Sequence, residues 1–197
     1  LSLSVDEAQY WDWSNNLDFG YFSKPPFIAW MIASTTYFFG IAEWSIRLSS
    51  PIIHLLIAVV IWFISKSVYN IKVANFITLI WATLPLTSFG SLIISTDTPL
   101  LLFWCMSLFT LLKTLESNKI IWPTLLGITI GLGFLTKYAA LYFVIILLCL
   151  IIFNQRFQKN IFKFILTICV FLIICAPNLY WNYANDLSTF SHTAYNA

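Results

Sequence analysis

Charged residues are scarce in this chain. They make up only 9% of its 197 residues, whereas hydrophobic residues make up 60%, and the mean hydropathy is +0.85. Soluble domains hold about 45–50% apolar residues and about 25% charged ones. The composition therefore excludes an ordinary soluble domain and predicts a membrane protein. The ten basic and eight acidic residues nearly balance, so the net charge of +2 indicates no nucleic-acid partner.

Cysteine and histidine are also few. The four cysteines share apolar surroundings and form no C-x-x-C pair: Cys105, Cys149, Cys169 and Cys175. Such positions favour small membrane-embedded side chains over metal ligands or disulfides. His54 lies in an apolar stretch and His192 near the end, without the spacing of metal ligands. The start of the chain shows no signal peptide and no initiator Met, so we expect a fragment of a longer membrane protein.

Apolar runs follow one another along most of the chain. A helix needs about 17–25 residues to cross a bilayer, and six runs approach or reach that length: 48–65, 73–94, 98–115, 120–136, 138–154 and 161–177. Lys137 would be costly at the bilayer centre, so we expect a short loop there between two short helices. The stretch 27–42 fits an interfacial or re-entrant helix as well as a span. The pattern predicts an all-α polytopic membrane protein.

The basic residues predict the orientation, because Lys and Arg near helix ends are retained in the cytoplasm. Three predicted loops on one side carry Lys66, Lys72, Lys113, Lys119, Arg156, Lys159 and Lys163. The opposite side holds the remaining bases, Lys24, Arg47 and Lys137, and seven of the eight acids: Asp6, Glu7, Asp12, Asp18, Glu43, Asp97 and Asp186. We therefore expect residues 1–47 to form a first external loop with interfacial helices, 48–177 the bundle, and 178–197 the start of another external loop.

The charges predicted to lie at the external face each have a structural explanation as well as a functional one. Asp6 and Glu7 fit the first turn of a helix capped by Ser4. Lys24 and Arg47 fit side chains whose charged ends reach the membrane interface. Asp97 or its neighbour Thr96 fits the N-cap of a helix that has Pro99 in its first turn. Lys137 lies between two predicted spans that are barely long enough to cross a bilayer. Its long side chain could reach the interface, but a partner anion would explain its position better.

An ordered set of short motifs resembles a known family. These are D-E-x-x-Y-x-x-W from Asp6, G-Y-F-x-K-P-P from Gly20, R-L-x-S from Arg47, T-D-x-P-L from Thr96, G-L-G-x-L-T-K-Y from Gly131 and P-N-L-x-W-N from Pro177. The order resembles the bacterial branch of the dolichyl-phosphate-mannose-protein mannosyltransferases, whose relatives include the aminoarabinose transferases that modify lipid A.

The resemblance implies a GT-C fold and an inverting membrane glycosyltransferase. Such an enzyme moves a sugar from a polyprenyl-phosphate donor to a lipid A, glycan or protein acceptor at the periplasmic face of the bacterial inner membrane. It implies Asp6 as the catalytic acidic residue, acting as base or as orienter of the acceptor, with Glu7 in support. It also implies that the donor phosphate is bound by Lys24, Arg47 and Lys137. The substrate-orienting residues that it implies are Asp97, Tyr10 and Tyr138.

The resemblance leaves a divalent metal open. One departure weakens any carry-over of a metal site and argues against assuming lipid A as the substrate. In the aminoarabinose transferases a Glu precedes the lysine of K-P-P, where this chain has Ser23. Two other functions remain open at this point. A lipid-linked sugar transporter or flippase would line a path with the same charges, although no internal repeat is evident. A non-catalytic membrane scaffold would tolerate replacement of Asp6 and Lys137.

Overall fold

The computed structural model describes residues 2–195, and within that range the chain forms helices and no β-strand. The helices are α1 (Val5–Ser14), α2 (Phe27–Phe39), α3 (Glu43–Arg47), α4 (Ser49–Val68), α5 (Ile71–Thr83), α6 (Pro85–Gly90), α7 (Asp97–Glu116), α8 (Ile121–Thr136), α9 (Leu141–Phe153), α10 (Gln155–Gln158), α11 (Ile161–Ala184) and α12 (Ser188–Tyr195), with a 3-10 turn at Tyr138–Ala140. The predicted all-α architecture is confirmed.

Helices α4, α7, α8 and α11 form the bundle, each packed against its neighbour, with α5 against α4. Small residues bring α8 and α11 close together. The Cα of Gly127 faces the backbone carbonyl of Thr167, and a Cβ added there would lie 2.5 Å from that oxygen. A Cβ added at Gly131 would lie 2.7 Å from the Ile174 side chain. Packing of this kind is typical of helices in membranes, where close backbone approach replaces the hydrophobic effect as the source of association.

Membrane spans are confirmed in part. Among the described residues, three helical segments are long and apolar enough to cross a bilayer: Glu43–Val68, Asp97–Glu116 and Ile161–Ala184. The other apolar helices are shorter than the predicted runs, at 13 to 16 residues. The break expected at Lys137 is present, because its backbone is extended between α8 and the 3-10 turn.

Two predicted boundaries were wrong. The run 73–94 is not one helix, because α5 ends at Thr83 and α6 begins at Pro85. Leu84 between them is extended, since proline disfavours a helical conformation in the residue before it. The run 161–177 continues as helix through Pro177 to Ala184. Proline inside a helix removes one hydrogen bond, and here the helix continues with Cys175 and Asn178 buried on either side of Pro177.

Helices α1 and α2 pack together beside α3, on the end of the bundle where α4 and α7 begin. Ser4 caps α1 and forms the reciprocal capping box with Glu7, as the first-turn pattern predicted. Gly40 ends α2 with a φ of 77°, a conformation that L-residues with a side chain rarely adopt. The short α2 thus turns sharply into α3, which continues almost directly into α4. This arrangement gathers the predicted site residues at one end of the bundle.

Candidate active site

Glu7 and Arg47 form an ion pair between α1 and α3. Glu7 is 1% exposed, and both its oxygens accept hydrogen bonds from the Arg47 guanidinium at 2.7 Å. The same carboxylate accepts hydrogen bonds from the backbone N–H groups of Ser4 at 2.9 Å and Ile94 at 3.2 Å. Bidentate Arg–carboxylate pairs are strong and fix geometry. This pair therefore holds the start of α1 against α3 and against the loop that leads to α7.

Hydrogen bonding outweighs burial at Glu7. Burial alone raises the pKa of the carboxyl, but the Arg47 side chain and the two backbone N–H donors lower it more, and the resulting pKa is about 2 instead of 4.5. The carboxylate is thus charged at any physiological pH and has its oxygens occupied. Arg47 also donates to the Ser2 carbonyl at 3.0 Å.

Asp6 differs from Glu7 in its exposure to solvent. It is exposed and lies four residues before Tyr10, on the same face of α1. Tyr10 is 4% exposed, and its pKa is raised to about 12, first by burial and then by the negative charges of Asp6 and Asp97. The phenol therefore lies within electrostatic reach of both carboxylates. Two acids from separate segments face one region.

Lys137 has the partner anion that its position called for. Its Nζ lies 2.6 Å from the Oδ1 of Asp97. Asp97, at the start of α7, is therefore paired with the residue that follows α8. Its side chain does not cap α7, because Thr96 occupies the N-cap position and makes no side-chain capping hydrogen bond. The two side chains are 37% and 69% exposed, so this pair contributes little to stability and is accessible to a ligand.

A cavity of about 360 Å³ brings Lys24 and Lys137 together. Its lining comes from the K-P-P segment, the 3-10 turn, α9 and α12: Ser23, Lys24, Pro25, Lys137, Tyr138, Ala139, Leu141, Tyr142, Ile145 and Thr193. Two cations in the lining of an otherwise largely apolar pocket suit an anionic group attached to an apolar chain. The structure thus joins two predicted phosphate contacts that are more than a hundred residues apart.

Arg47 lies elsewhere. It lines a separate cavity of about 410 Å³ together with Glu43, Trp44, Leu48, Pro51, Ser91 and Leu92. Its guanidinium is engaged by Glu7. The third predicted phosphate contact is therefore not grouped with Lys24 and Lys137.

Tyr138 has a hydroxyl that is already occupied. It donates to Asn178 Oδ1 and accepts from Asn182 Nδ2, both at 3.1 Å, and both asparagines are fully buried on α11. Its ring stacks on Phe190 at 4.7 Å. Its hydroxyl thus joins the 3-10 turn to α11.

The segment before Lys24 is also held by α11 and α12. Asn178 donates to the Phe19 carbonyl at 2.6 Å, Trp181 donates to the Asp18 carboxylate at 2.7 Å, and Thr189 donates to the Tyr21 carbonyl at 2.6 Å. These contacts position the backbone that carries Lys24. This role of Asn178 was not predicted from the motif P-N-L-x-W-N, although the four-residue spacing of its asparagines indicated one buried polar face of a helix.

No cluster of three or more His, Cys, Asp or Glu side chains that could hold a metal is found within residues 2–195. Asp97 is bound to Lys137 and Glu7 to Arg47, so these two carboxylates have cationic partners, whereas Asp6 is exposed. We assign no step to the divalent metal that the resemblance left open.

Comparison with known proteins relates this geometry to a family. The chain is 37% identical over 193 residues to the lipid A galacturonosyltransferase RgtD of Rhizobium johnstonii, covering 96% of this chain and 40% of that protein. It is 30% identical over 146 residues to the undecaprenyl phosphate-alpha-4-amino-4-deoxy-L-arabinose arabinosyl transferase of Wigglesworthia glossinidia brevipalpis, covering 70% of this chain and 25% of that protein. The chain thus spans two fifths or less of the length of these curated relatives.

The fold has a solved counterpart. The crystal structure of ArnT from Cupriavidus metallidurans in the apo state superimposes with a TM-score of 0.77 at 20% identity, over 95% of this chain and 38% of that one. The GT-C type of helical bundle expected from the motifs is thereby confirmed, as is a multi-pass membrane protein. The dolichyl-phosphate-mannose-protein mannosyltransferase family matches residues 23–181, and the chain belongs to that family.

Proposed function

We propose that this chain carries the donor-binding and catalytic face of a bacterial inner-membrane glycosyltransferase that uses a polyprenyl-phosphate sugar. The observation that carries the proposal is the shared cavity of Lys24 and Lys137 beside Asp97. The basic loops at the other end of the bundle support a periplasmic location for this face. The family membership and the names of the relatives support the reaction class.

The donor phosphate binds between Lys24 and Lys137. A polyprenyl phosphate is a single anionic group on a long apolar chain, and the cavity offers two ammonium groups among apolar walls. Phosphate competes with Asp97 for Lys137, because the existing pair is half-exposed and a surface pair of this kind is weak. Donor binding thus exchanges one anionic partner of Lys137 for another and releases the Asp97 carboxylate toward the sugar.

Asp6 is the base, and Glu7 is not. The acceptor oxygen attacks the anomeric carbon, the bond from that carbon to the phosphate oxygen breaks, the proton of the acceptor passes to Asp6, and the electron pair leaves on the phosphate. Lys24 and Lys137 stabilise the charge that develops on the leaving phosphate. Glu7 has its oxygens occupied by Arg47 and backbone donors, so it and Arg47 hold α1 in place.

Lipid A is the acceptor we propose, since it is named for a relative that matches 96% of this chain. The two relatives are named for galacturonosyl and aminoarabinosyl transfer, so both sugars, as undecaprenyl-phosphate donors, are the compounds to test. Glycan and protein acceptors remain the alternatives that the same assay separates. A transporter would place charges along the bundle, whereas Asp6, Lys24, Asp97 and Lys137 lie at one end of it.

Sugar transfer in membranes tests the proposal. Membranes that contain the protein are incubated with each donor and lipid A, and the product is measured by mass spectrometry. We expect Asp6→Asn to reduce transfer by a factor of about 10² to 10⁴, the range that a general base contributes. Asp12→Asn is the matched control, because Asp12 is an exposed acid on the same helix, and its transfer should stay within twofold of wild type.

The result that contradicts the assignment is near-normal transfer by Asp6→Asn in protein that inserts normally. Absence of transfer to lipid A with either donor, together with sugar on an extracted glycan or protein, would replace the acceptor while keeping the reaction class. Movement of an intact lipid-linked sugar across vesicles without a glycosylated product would favour the transporter.

A further inference from the structure

The end of the bundle opposite to Asp97 holds a second group of cations. Helices α4 and α7 run in the same direction: Ile53 packs on Leu102 near their beginnings, and Phe63 packs on Phe109 near their ends. Both candidate spans end here, at Val68 and Glu116. Charged residues at such ends lie at the level of the lipid headgroups.

A cavity of about 290 Å³ lies between these two helix ends. It is lined by Phe63, Lys66, Ser67, Phe109 and Lys113. Two ammonium groups and one hydroxyl therefore share a small space with two aromatic rings. None of these residues belongs to the site at the other end of the molecule.

The two lysines are held near the cavity by aromatic contacts and retain their capacity to bind an anion. The Lys66 Nζ lies 4.6 Å from the ring centroid of Trp62, and the Lys113 Nζ lies 5.9 Å from that of Phe109. Lys113 also contacts the Glu116 carboxylate at 2.7 Å, but Glu116 is 47% exposed and does not line the cavity. An exposed pair on one helix is weak, so the cavity has a net positive charge.

We propose that this cavity binds the phosphate of an anionic phospholipid headgroup. Basic pockets between membrane helices recognise such headgroups. The two ammonium groups neutralise the phosphate charge, and the Ser67 hydroxyl exchanges its bond to the Ile64 carbonyl, at 2.8 Å, for one to a phosphate oxygen. The rings of Phe63 and Phe109 cover the adjoining glycerol and first acyl carbons. The bound phosphate also reduces repulsion between Lys66 and Lys113. This site is independent of sugar transfer and of the proposed function.

Native mass spectrometry of the purified membrane protein tests the site. The protein is equilibrated in mixed micelles with equal amounts of phosphatidylglycerol and phosphatidylcholine, and the retained lipids are counted. We expect wild type to retain phosphatidylglycerol selectively. K66Q/K113Q should lower the ratio of retained phosphatidylglycerol to phosphatidylcholine about thirtyfold, since the two lysines contribute comparable shares of the attraction to an anionic headgroup. Lys119→Gln is the control, because Lys119 is exposed and outside the cavity, and its ratio should not change.

A second variant gives the opposite sign. Glu116→Gln removes the carboxylate that competes for Lys113, so retention of phosphatidylglycerol should rise. Equal loss in Lys119→Gln and K66Q/K113Q would show diffuse surface attraction and overturn the site, as would a ratio that neither K66Q/K113Q nor Glu116→Gln changes. Displacement of the lipid by millimolar inorganic phosphate would overturn the headgroup assignment. A thermal unfolding curve for each variant establishes that the protein is folded when lipids are counted.

Discussion

Replacing Glu7 by glutamine tests whether the Glu7–Arg47 pair holds the site together. The carboxylate is 1% exposed and its two oxygens accept from Arg47, Ser4 and Ile94. Glutamine has one acceptor oxygen, and its amide would face donors where the second oxygen stood. A pKa lowered from 4.5 to about 2 corresponds to roughly 3 kcal/mol of stabilisation, and loss of one partner of a buried pair costs about 3–5 kcal/mol. We expect Glu7→Gln to lose about 3 kcal/mol.

The pH dependence has a definite sign. Because the folded-state pKa of Glu7 is below its unfolded value, its contribution is fully present above pH 4.5 and is lost as the pH falls toward about 2. Wild type should therefore lose stability between these limits, and Glu7→Gln should lack that portion of the loss. Burial, which by itself raises this pKa, acts in the opposite direction and is already included in the net value.

Fluorescence-detected unfolding in detergent between pH 3 and pH 7 measures both effects. Asp12→Asn is the control, since Asp12 is an exposed acid on the same helix and its removal should change stability by less than about 0.5 kcal/mol. Combining Glu7→Gln with Arg47→Gln should cost less than the sum of the single changes, because the two residues share their bonds. Unfolding of Glu7→Gln at the wild-type temperature with the wild-type pH profile would refute the reasoning.

Four further outcomes follow from the contacts. Lys137→Met should raise the KM for a polyprenyl-phosphate donor at least tenfold with little loss of stability, because its pair with Asp97 is exposed. Lys159→Met, which changes an exposed lysine at the other end of the bundle, should leave that KM unchanged. An unaltered KM in Lys137→Met would argue against a phosphate contact. Tyr138→Phe should cost about 1–3 kcal/mol by leaving the buried Asn178 Oδ1 without its donor, while Asn182 Nδ2 keeps the Asn178 carbonyl as acceptor. Tyr142→Phe, at an exposed position, should be neutral in the same unfolding assay. Gly127→Ala should cost about 1–3 kcal/mol, since its Cβ would meet the Thr167 carbonyl at 2.5 Å, but Gly133→Ala meets only contacts of 3.4 Å and should be tolerated; equal unfolding temperatures would contradict this. Cysteine introduced at position 18 should react with a membrane-impermeant reagent from outside intact cells and cysteine at 159 should not, and the reverse labelling would invert the orientation.

The helical class was predictable because it follows from composition and apolar periodicity. Helix ends were less so. Leu84 and Pro85 interrupt an apolar run that looks continuous by hydropathy alone, and Pro177 lies within α11 although proline usually ends a helix. The break at Leu84 is a local effect of Pro85 that hydropathy does not register, whereas α11 continues through Pro177 with Cys175 and Asn178 buried on either side of it.

The candidate site was predictable as a set of residues but not as a set of partners. The charge pattern brought Asp6, Glu7, Arg47, Asp97 and Lys137 to one face. It did not distinguish the exposed Asp6 from the buried Glu7, because adjacent helix positions differ by 100° of rotation and only the position of α3 decides which of them meets Arg47. Likewise, Lys137 required an anion, but the choice of Asp97 depends on how α7 packs against α8.

The contacts of α11 and α12 with residues 18–21 have a consequence for biogenesis. Asn178, Trp181 and Thr189 bind Phe19, Asp18 and Tyr21 across about 160 positions of sequence. During synthesis the segment that carries Lys24 therefore leaves the ribosome well before α11 and α12, and helices α2 to α10 are made before these partners exist. The cavity shared by Lys24 and Lys137 acquires this support only after α11 and α12 are added, and a nascent chain arrested before α11 would contain Asp6, Lys24 and Lys137 without the contacts that position the Lys24 segment.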